Sequence, residues 1–233
     1  MGNGEVHVWR ASLDLPASRV QSLQHTLAAD ELTRADRYYS WQDSERFIVA
    51  RGLLRAILSR YLDMAPDHLR FCYGPRGKPK LDKETGGEAL RFNVTHTQGL
   101  ALYAVAHGRE VGIDVERIRP ELVDGDIAER FFSPREVAAL RTLPVALRPE
   151  SFFNCWTRKE AYTKARGDGL SLPLKQFDVS LAPREPAALL STKGDPLEAA
   201  RWSLWALHPG PGYVAALAVE GHDWRLECRQ WVA

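Results

Sequence analysis

Cysteine is scarce and scattered in this chain. Cys72, Cys155 and Cys228 are the whole complement, and no CxxC pair occurs. That argues against a zinc site and against a disulfide framework, and it suits a reducing cytosol. No apolar run approaches the ~18 residues that span a bilayer. The opening MGNGEVHVWR lacks the apolar core of a secretory signal. Its Met-Gly start resembles a myristoylation signal, but Val6 stands where that signal carries Ser or Thr. An excess of one charge is also missing. Lys and Arg number 31 against 30 Asp and Glu, for a net charge of +1. No global field draws in nucleic acid or an anionic membrane, so any anion site must be a local cluster. A cytoplasmic protein with neither of those partners is expected.

The chain has 233 residues, 45% hydrophobic and 26% charged. That is ample for a packed core, as one large domain or two small ones. Residues 5–9 alternate and read as a strand. Residues 44–61 read as a helix, because Phe47, Leu54 and Tyr61 recur on one stripe filled by Ala50, Ile57 and Leu58. Arg46, Arg51 and Arg55 lie off that stripe. The stretch YGPRGKPK (73–80) is turn-rich and basic, and reads as a loop. Strands are expected over 90–95, 100–106 and 111–116. In the second half a helix is expected over 150–165, ended by Gly167, then strands over 177–181, 213–219 and 224–231. The segments GLALYAVAHG (99–108) and GYVAALAVEG (212–221) are glycine-bounded apolar strands of equal length, a faint internal echo of two related α+β halves. Between the halves, residues 118–147 are rich in charge and proline, with a short helical stretch around 134–140. They read as a linker or a partner-binding surface.

Four clusters could carry chemistry. In VGIDVE (111–116), strand alternation sends Ile113 and Val115 to one face and Asp114 and Glu116 to the other. Two carboxylates on one face repel unless a cation lies between them, and a hard divalent ion prefers such oxygens. An acidic edge strand in water fits the spacing as well. In FFNCWTRKEAYTK (152–164), Phe152, Trp156, Glu160 and Lys164 share one helical stripe. An exposed Glu–Lys pair accounts for that equally. In FNVTHT (92–97), hydroxyls flank a histidine at a strand end, an arrangement able to bind phosphate. The fourth is the basic loop around Arg76-Gly77-Lys78-Pro79, where glycine lets the backbone approach a ligand and the cations meet phosphate.

In this order the four resemble the Sfp-type 4′-phosphopantetheinyl transferases, from about Ala29 to the strand after Leu174. The GIDVE segment and the WTRKEAYTK helix match the family's defining pair. The resemblance implies an α+β fold of two similar halves related by a pseudo-twofold, residues 1–110 and 111–233, with the active site between them. It implies transfer of the 4′-phosphopantetheine arm of coenzyme A to a serine of an apo acyl or peptidyl carrier protein, with release of 3′,5′-ADP. It implies magnesium on Asp114, Glu116 and Glu160. Glu160 is the leading base for the serine, directly or through water, and Glu136 the second. Lys164 matches the lysine that stabilises the leaving phosphate, and Lys159 matches another family lysine. Lys78, Thr95 and His96 match coenzyme A contacts, with Arg76, Gly77 and Pro79 along the adenine end. Arg34 and Arg46 fall where the family places bases for the 3′-phosphate. Glu31 stands where the family has a further lysine, and Arg37 is a substitute.

An acidic carrier would be met by Arg117, Arg119, Arg130 and Phe132. Against that surface stands the reading that Phe131 and Phe132 are both core. Both sides of the site come from one chain, so a monomer is expected. Two alternatives are a lapsed module of the same fold that binds coenzyme A or a carrier, and a different metal-dependent phosphoryl-transfer enzyme.

Overall fold

The computed structural model describes residues 2, 4–74, 77–86, 89–123, 126–167 and 172–232. The first strand, β1 (Glu5–Ser12), is buried on both faces: Val6 and Val8 point to one core, Trp9 and Ala11 to another. Helices α1 (Ala17–Gln24) and α2 (Ala29–Ala35) follow. Sequence reading missed both, because so few turns carry little periodicity. The long helix α3 (Trp41–Leu62) starts earlier than expected because the Ser40 hydroxyl caps it, accepting from the Asp43 amide. Its stripe of Phe47, Ala50, Leu54, Ile57 and Leu58 is buried as expected.

The basic stretch around residues 73–80 is more than a loop. It closes a hairpin of β2 (Phe71–Tyr73) and β3 (Pro79–Leu81). Then come β4 (Leu90–Thr97), β5 (Leu100–His107) and β6 (Val111–Arg117). The second half contains α4 (Asp126–Phe131), α5 (Pro134–Thr142), α6 (Arg148–Arg166), β7 (Phe177–Val179) and β8 (Leu189–Thr192). The strands β9 (Trp202–Leu207), β10 (Tyr213–Glu220) and β11 (Arg225–Gln230) end it.

Two sheets form, in the orders β11-β1-β5-β4 and β6-β10-β9. The antiparallel order β1-β5-β4 is repeated as β6-β10-β9, each half carrying one long helix and one short hairpin. The two glycine-bounded segments are the middle strands, β5 and β10. This is an α+β fold of two similar halves. A third core, with Val8, Leu102, Ile113, Val115 and Leu217, fills the space where the halves meet.

The division expected at 110/111 misses one feature. The last strand, β11, pairs parallel with β1, Val8 opposite Cys228, so the tail returns to the first half's sheet. Trp231 then packs edge-on against Trp9, with the Arg60 guanidinium 4.3 Å above it. Residues 118–147 are not a free linker either. Phe132 is 1% exposed and packs at a tilt against Phe152 of α6, which ties the segment to the second half's core. The expectation that Phe132 faces a carrier is corrected accordingly.

Candidate active site at the seam

The strands β4 and β6 run side by side where the two sheets meet, and no backbone ladder joins them among the described residues. Side chains of β4 bridge the gap. Asn93 Oδ1 accepts from the Ile113 amide at 2.9 Å, and Thr95 Oγ1 accepts from the Val115 amide at 3.4 Å. Sequence reading took FNVTHT as a phosphate site and did not see this role for Asn93.

Alternation along β6 works as expected. Val111, Ile113 and Val115 enter the core between the sheets, while Asp114 and Glu116 face α6. Gly112 allows the approach. A Cβ there would lie 2.1 Å from the Ala161 carbonyl oxygen and 2.3 Å from the Ala165 amide nitrogen. Strand and helix therefore touch backbone to backbone, which brings Asp114 to Lys164. The Lys164 ammonium donates to Asp114 Oδ1 at 2.6 Å and reaches Thr95 Oγ1 and the Ile113 carbonyl at 3.4 Å. Thr95 donates to the same Asp114 oxygen at 3.1 Å. The other carboxylate oxygen of Asp114 is buried and has no hydrogen-bond partner.

The carboxylates here are electrostatically strained. Burial raises the Asp114 pKa against the Lys164 charge. Burial raises Glu116 too, with the Asp114 charge adding, while Arg119, 3.6 Å away, opposes it. Glu160 is raised by burial and by Asp114. The Asp114 charge raises both of its acidic neighbours, a repulsion that a cation would offset. Their ligand atoms do not all converge. Among the described residues, the set of three that lies within 4.8 Å is Glu5, His7 and Glu227, on β1 and β11. That set already has cations beside it, Arg225 on Glu5 and Glu227, and Arg229 on Glu227.

The nucleotide-side residues line a cleft of about 180 Å³ beside α3, walled by Arg34, Phe47, Arg51, Gly77, Pro79 and His96. A wider, open pocket of about 810 Å³ shares Arg34, Tyr38 and Gly77 and adds Arg37 and Tyr73. The Arg34 guanidinium lies over the Phe47 ring. His96 stands at the exposed mouth, its pKa lowered by the protein crowding the ring and then by the Lys164 and Arg46 charges. Arg46 is occupied by Asp14, which accepts from Nε at 2.8 Å. Arg76 lies outside the described residues.

Glu31 has become an internal counterion. It is 2% exposed, with Arg51 Nε at 3.1 Å and Arg55 Nη2 at 2.6 Å. Arg51 thus enters the cleft wall, with Tyr73 Oη accepting from it at 3.0 Å. Its place off the apolar stripe of α3 was the available signal.

Three expected roles are corrected. Glu136 is 2% exposed and Lys159 is fully buried, and they pair at 2.8 Å. Glu136 also accepts from the Ser133 and Val179 amides, and Lys159 donates to the Leu174 and Phe177 carbonyls. Neither reaches the cleft, so Glu136 is not placed to act as a base, nor Lys159 to contact coenzyme A. Both hold α5 and β7 to α6. The third is Lys78, whose ammonium points to backbone carbonyls of α6 and β6.

Comparison with known proteins settles what this arrangement belongs to. A family model described as "4'-phosphopantetheinyl transferase superfamily" matches residues 110–218, and one described as "4'-phosphopantetheinyl transferase, N-terminal" matches residues 9–108. The 4′-phosphopantetheinyl transferase HetI of Nostoc is 45% identical over 221 residues, 95% of this chain and 90% of its own. The chain belongs to the 4′-phosphopantetheinyl transferases. The transferase Sfp of Bacillus subtilis is 28% identical over 171 residues, 72% of this chain and 74% of its own. The holo-[acyl-carrier-protein] synthase of Thermotoga maritima overlaps partially, with a TM-score of 0.39 and 26% identity over 50% of this chain and 64% of its own. The two transferase models meet near residue 110, between β5 and β6, where the repeated strand order also restarts. No helix of the described residues is long and apolar enough to cross a membrane.

Proposed function

We propose that this transferase moves the 4′-phosphopantetheine arm of coenzyme A to a serine hydroxyl of an apo acyl or peptidyl carrier protein, with Mg2+ held by Asp114, Glu116 and Glu160. One observation carries the reading: the buried Asp114 carboxylate, with an unpartnered oxygen, lies beside Glu160 and Lys164 of α6 next to the seam. An all-oxygen donor set suits a hard divalent ion. When bound, such an ion would neutralise pyrophosphate charge.

The chain's own residues supply the rest. The serine oxygen forms a bond to the phosphorus bearing the pantetheine, the P–O bond to the nucleotide breaks, and 3′,5′-ADP leaves. A serine hydroxyl needs a base, and Glu160 is assigned that proton. Lys164, 30% exposed and held by Asp114, offers its ammonium to the departing phosphate. Arg34, Gly77, Pro79 and His96 line the cleft assigned to the nucleotide, with Arg51 added. Such a transfer depends above all on positioning and charge neutralisation.

An acidic carrier would meet Arg117, Arg119 and Arg130. Arg130 lies over the half-buried Phe131 ring, and Arg119 lies near Phe153. Both sides of the site come from one chain, so a monomer suffices, and the cytoplasm is the compartment proposed. The test is incubation with coenzyme A, magnesium and a panel of apo-carriers. A mass gain of one phosphopantetheine arm on the carrier serine supports transfer. Absence of any gain refutes it, and coenzyme A binding without gain identifies a binding module instead.

A further inference from the structure

We propose that Lys78 is a positioning residue. Its ammonium ties the nucleotide-side hairpin to the end of α6 and the start of β6, and so sets where Lys164 and Asp114 stand. The inference rests on the transferase reading above. Resemblance suggests that this lysine meets the ligand, but its geometry points elsewhere. Nζ donates to the Lys164 carbonyl at 2.8 Å, the Ala165 carbonyl at 3.2 Å and the Val111 carbonyl at 3.3 Å, with Glu110 Oε2 at 3.5 Å. An ammonium has three protons, and these acceptors use them. The side chain is 14% exposed.

The acceptors are the informative part. Lys164 and Ala165 lie in the last turn of α6, whose carbonyls have no intrahelical partner and carry the negative end of the helix dipole. One of them is the peptide oxygen of Lys164 itself. Val111 is the first residue of β6, three positions before Asp114. The same cation thus grips both elements whose contact at Gly112 forms the Asp114–Lys164 pair. On the other side, Gly77 and Pro79 flank Lys78 and line the cleft beside Arg34 and His96. A ligand pressing on that hairpin is one side chain away from the transfer machinery. Burial lowers the lysine's pKa and Glu110 opposes that shift, as expected of a cation held inside the joint.

The experiment compares the full chain with Lys78→Met and Lys78→Arg. It measures kcat with an apo-carrier, coenzyme A Kd by calorimetry, and amide exchange over 111–114 and 162–167. Lys78→Met is expected to lose about tenfold or more in kcat while coenzyme A Kd stays within about threefold, and Lys78→Arg to recover part of that loss. Exchange in the last turn of α6 should quicken in Lys78→Met without ligand. In the unsubstituted protein, coenzyme A should slow it. A tenfold weaker Kd with kcat unchanged would make Lys78 a direct ligand and overturn the proposal. Unchanged exchange in the variant would do so as well. If Lys78→Met does not fold, Lys78→Arg and the effect of coenzyme A on exchange in the unsubstituted protein decide. If the unsubstituted protein transfers nothing, the transferase reading falls, while ligand-free exchange still judges the joint.

Discussion

A single methyl group at Gly112 should push β6 away from α6. The alanine Cβ would meet the Ala161 carbonyl oxygen at 2.1 Å, the Ala165 amide nitrogen at 2.3 Å and the Ala165 Cα at 2.8 Å. An unstrained carbon–oxygen approach is about 3.3 Å, so the elements must part by about 1 Å. The obstacle is helix backbone, so no side chain can swing away. Overpacking costs about 1–3 kcal/mol where neighbours can yield, and the upper end applies here. At about 2–4 °C per kcal/mol for a chain of this size, Tm should fall by about 6–12 °C. The site should suffer beyond that, because the 2.6 Å Lys164–Asp114 contact spans this same interface. A displacement of about 1 Å in a positioned group costs about 100-fold in rate. Thermal unfolding followed by circular dichroism gives the first quantity, and phosphopantetheine transfer to an apo-carrier the second. Gly4→Ala, whose Cβ would find its nearest atom at 3.9 Å, is the control. Should Gly112→Ala melt within about 2 °C of the parent and turn over within about threefold of it, the backbone contact does not set the site.

Glu160→Gln should reduce transfer by about 100-fold or more while the fold persists, because it removes the assigned base and a half-buried charge that Asp114 repels. Turnover near the parent's with unchanged magnesium affinity would end that assignment. Lys164→Ala should lower kcat more than coenzyme A affinity, and equal losses in both would count against a leaving-group role. Lys159→Met leaves Glu136 buried without its cation and should cost about 3–5 kcal/mol in urea unfolding, a loss under about 1 kcal/mol contradicting the structural role. His7 is buried against Tyr61, Glu5, Glu227 and Arg229, and its pKa is lowered by burial and by Arg229. The unfolded chain therefore binds the extra proton first, so this group's stabilisation is full above its ordinary value near 6.5 and is lost as pH falls from there through the lowered folded value. Urea midpoints measured from about pH 7.5 to 5.5 should fall more steeply in the parent than in His7→Phe. Equal slopes would remove His7 from the account.

Much of the fold was legible along the chain because its elements are long or sharply periodic. The stripe of α3 from Phe47 to Leu58, the alternation in β6 and the glycine-bounded strands β5 and β10 each carry their period within one segment. The helices α1 and α2, and the strands β2, β3, β8 and β9, were not foreseen. Their few residues hold little pattern, and their pairing depends on distant chain. The parallel docking of β11 on β1 had no local signal at all.

The site divides along the same line. Residue types and spacing alone determined that Asp114 and Glu116 share one strand face, and that Glu160 and Lys164 share one helical stripe. Tertiary structure alone decided what each charged group meets. Glu136 and Lys159 look functional in sequence, yet they neutralise each other inside the second half. Lys78 looks like a phosphate ligand, yet it caps a helix of the opposite half. Glu31 looks like a missing cation, yet it holds Arg51 at the cleft wall. The physical reason is that strand and helix periods fix the direction of a side chain relative to its own element. The partner of a buried charge is fixed by which other element comes within about 4 Å, and that depends on packing contacts such as Gly112 against α6.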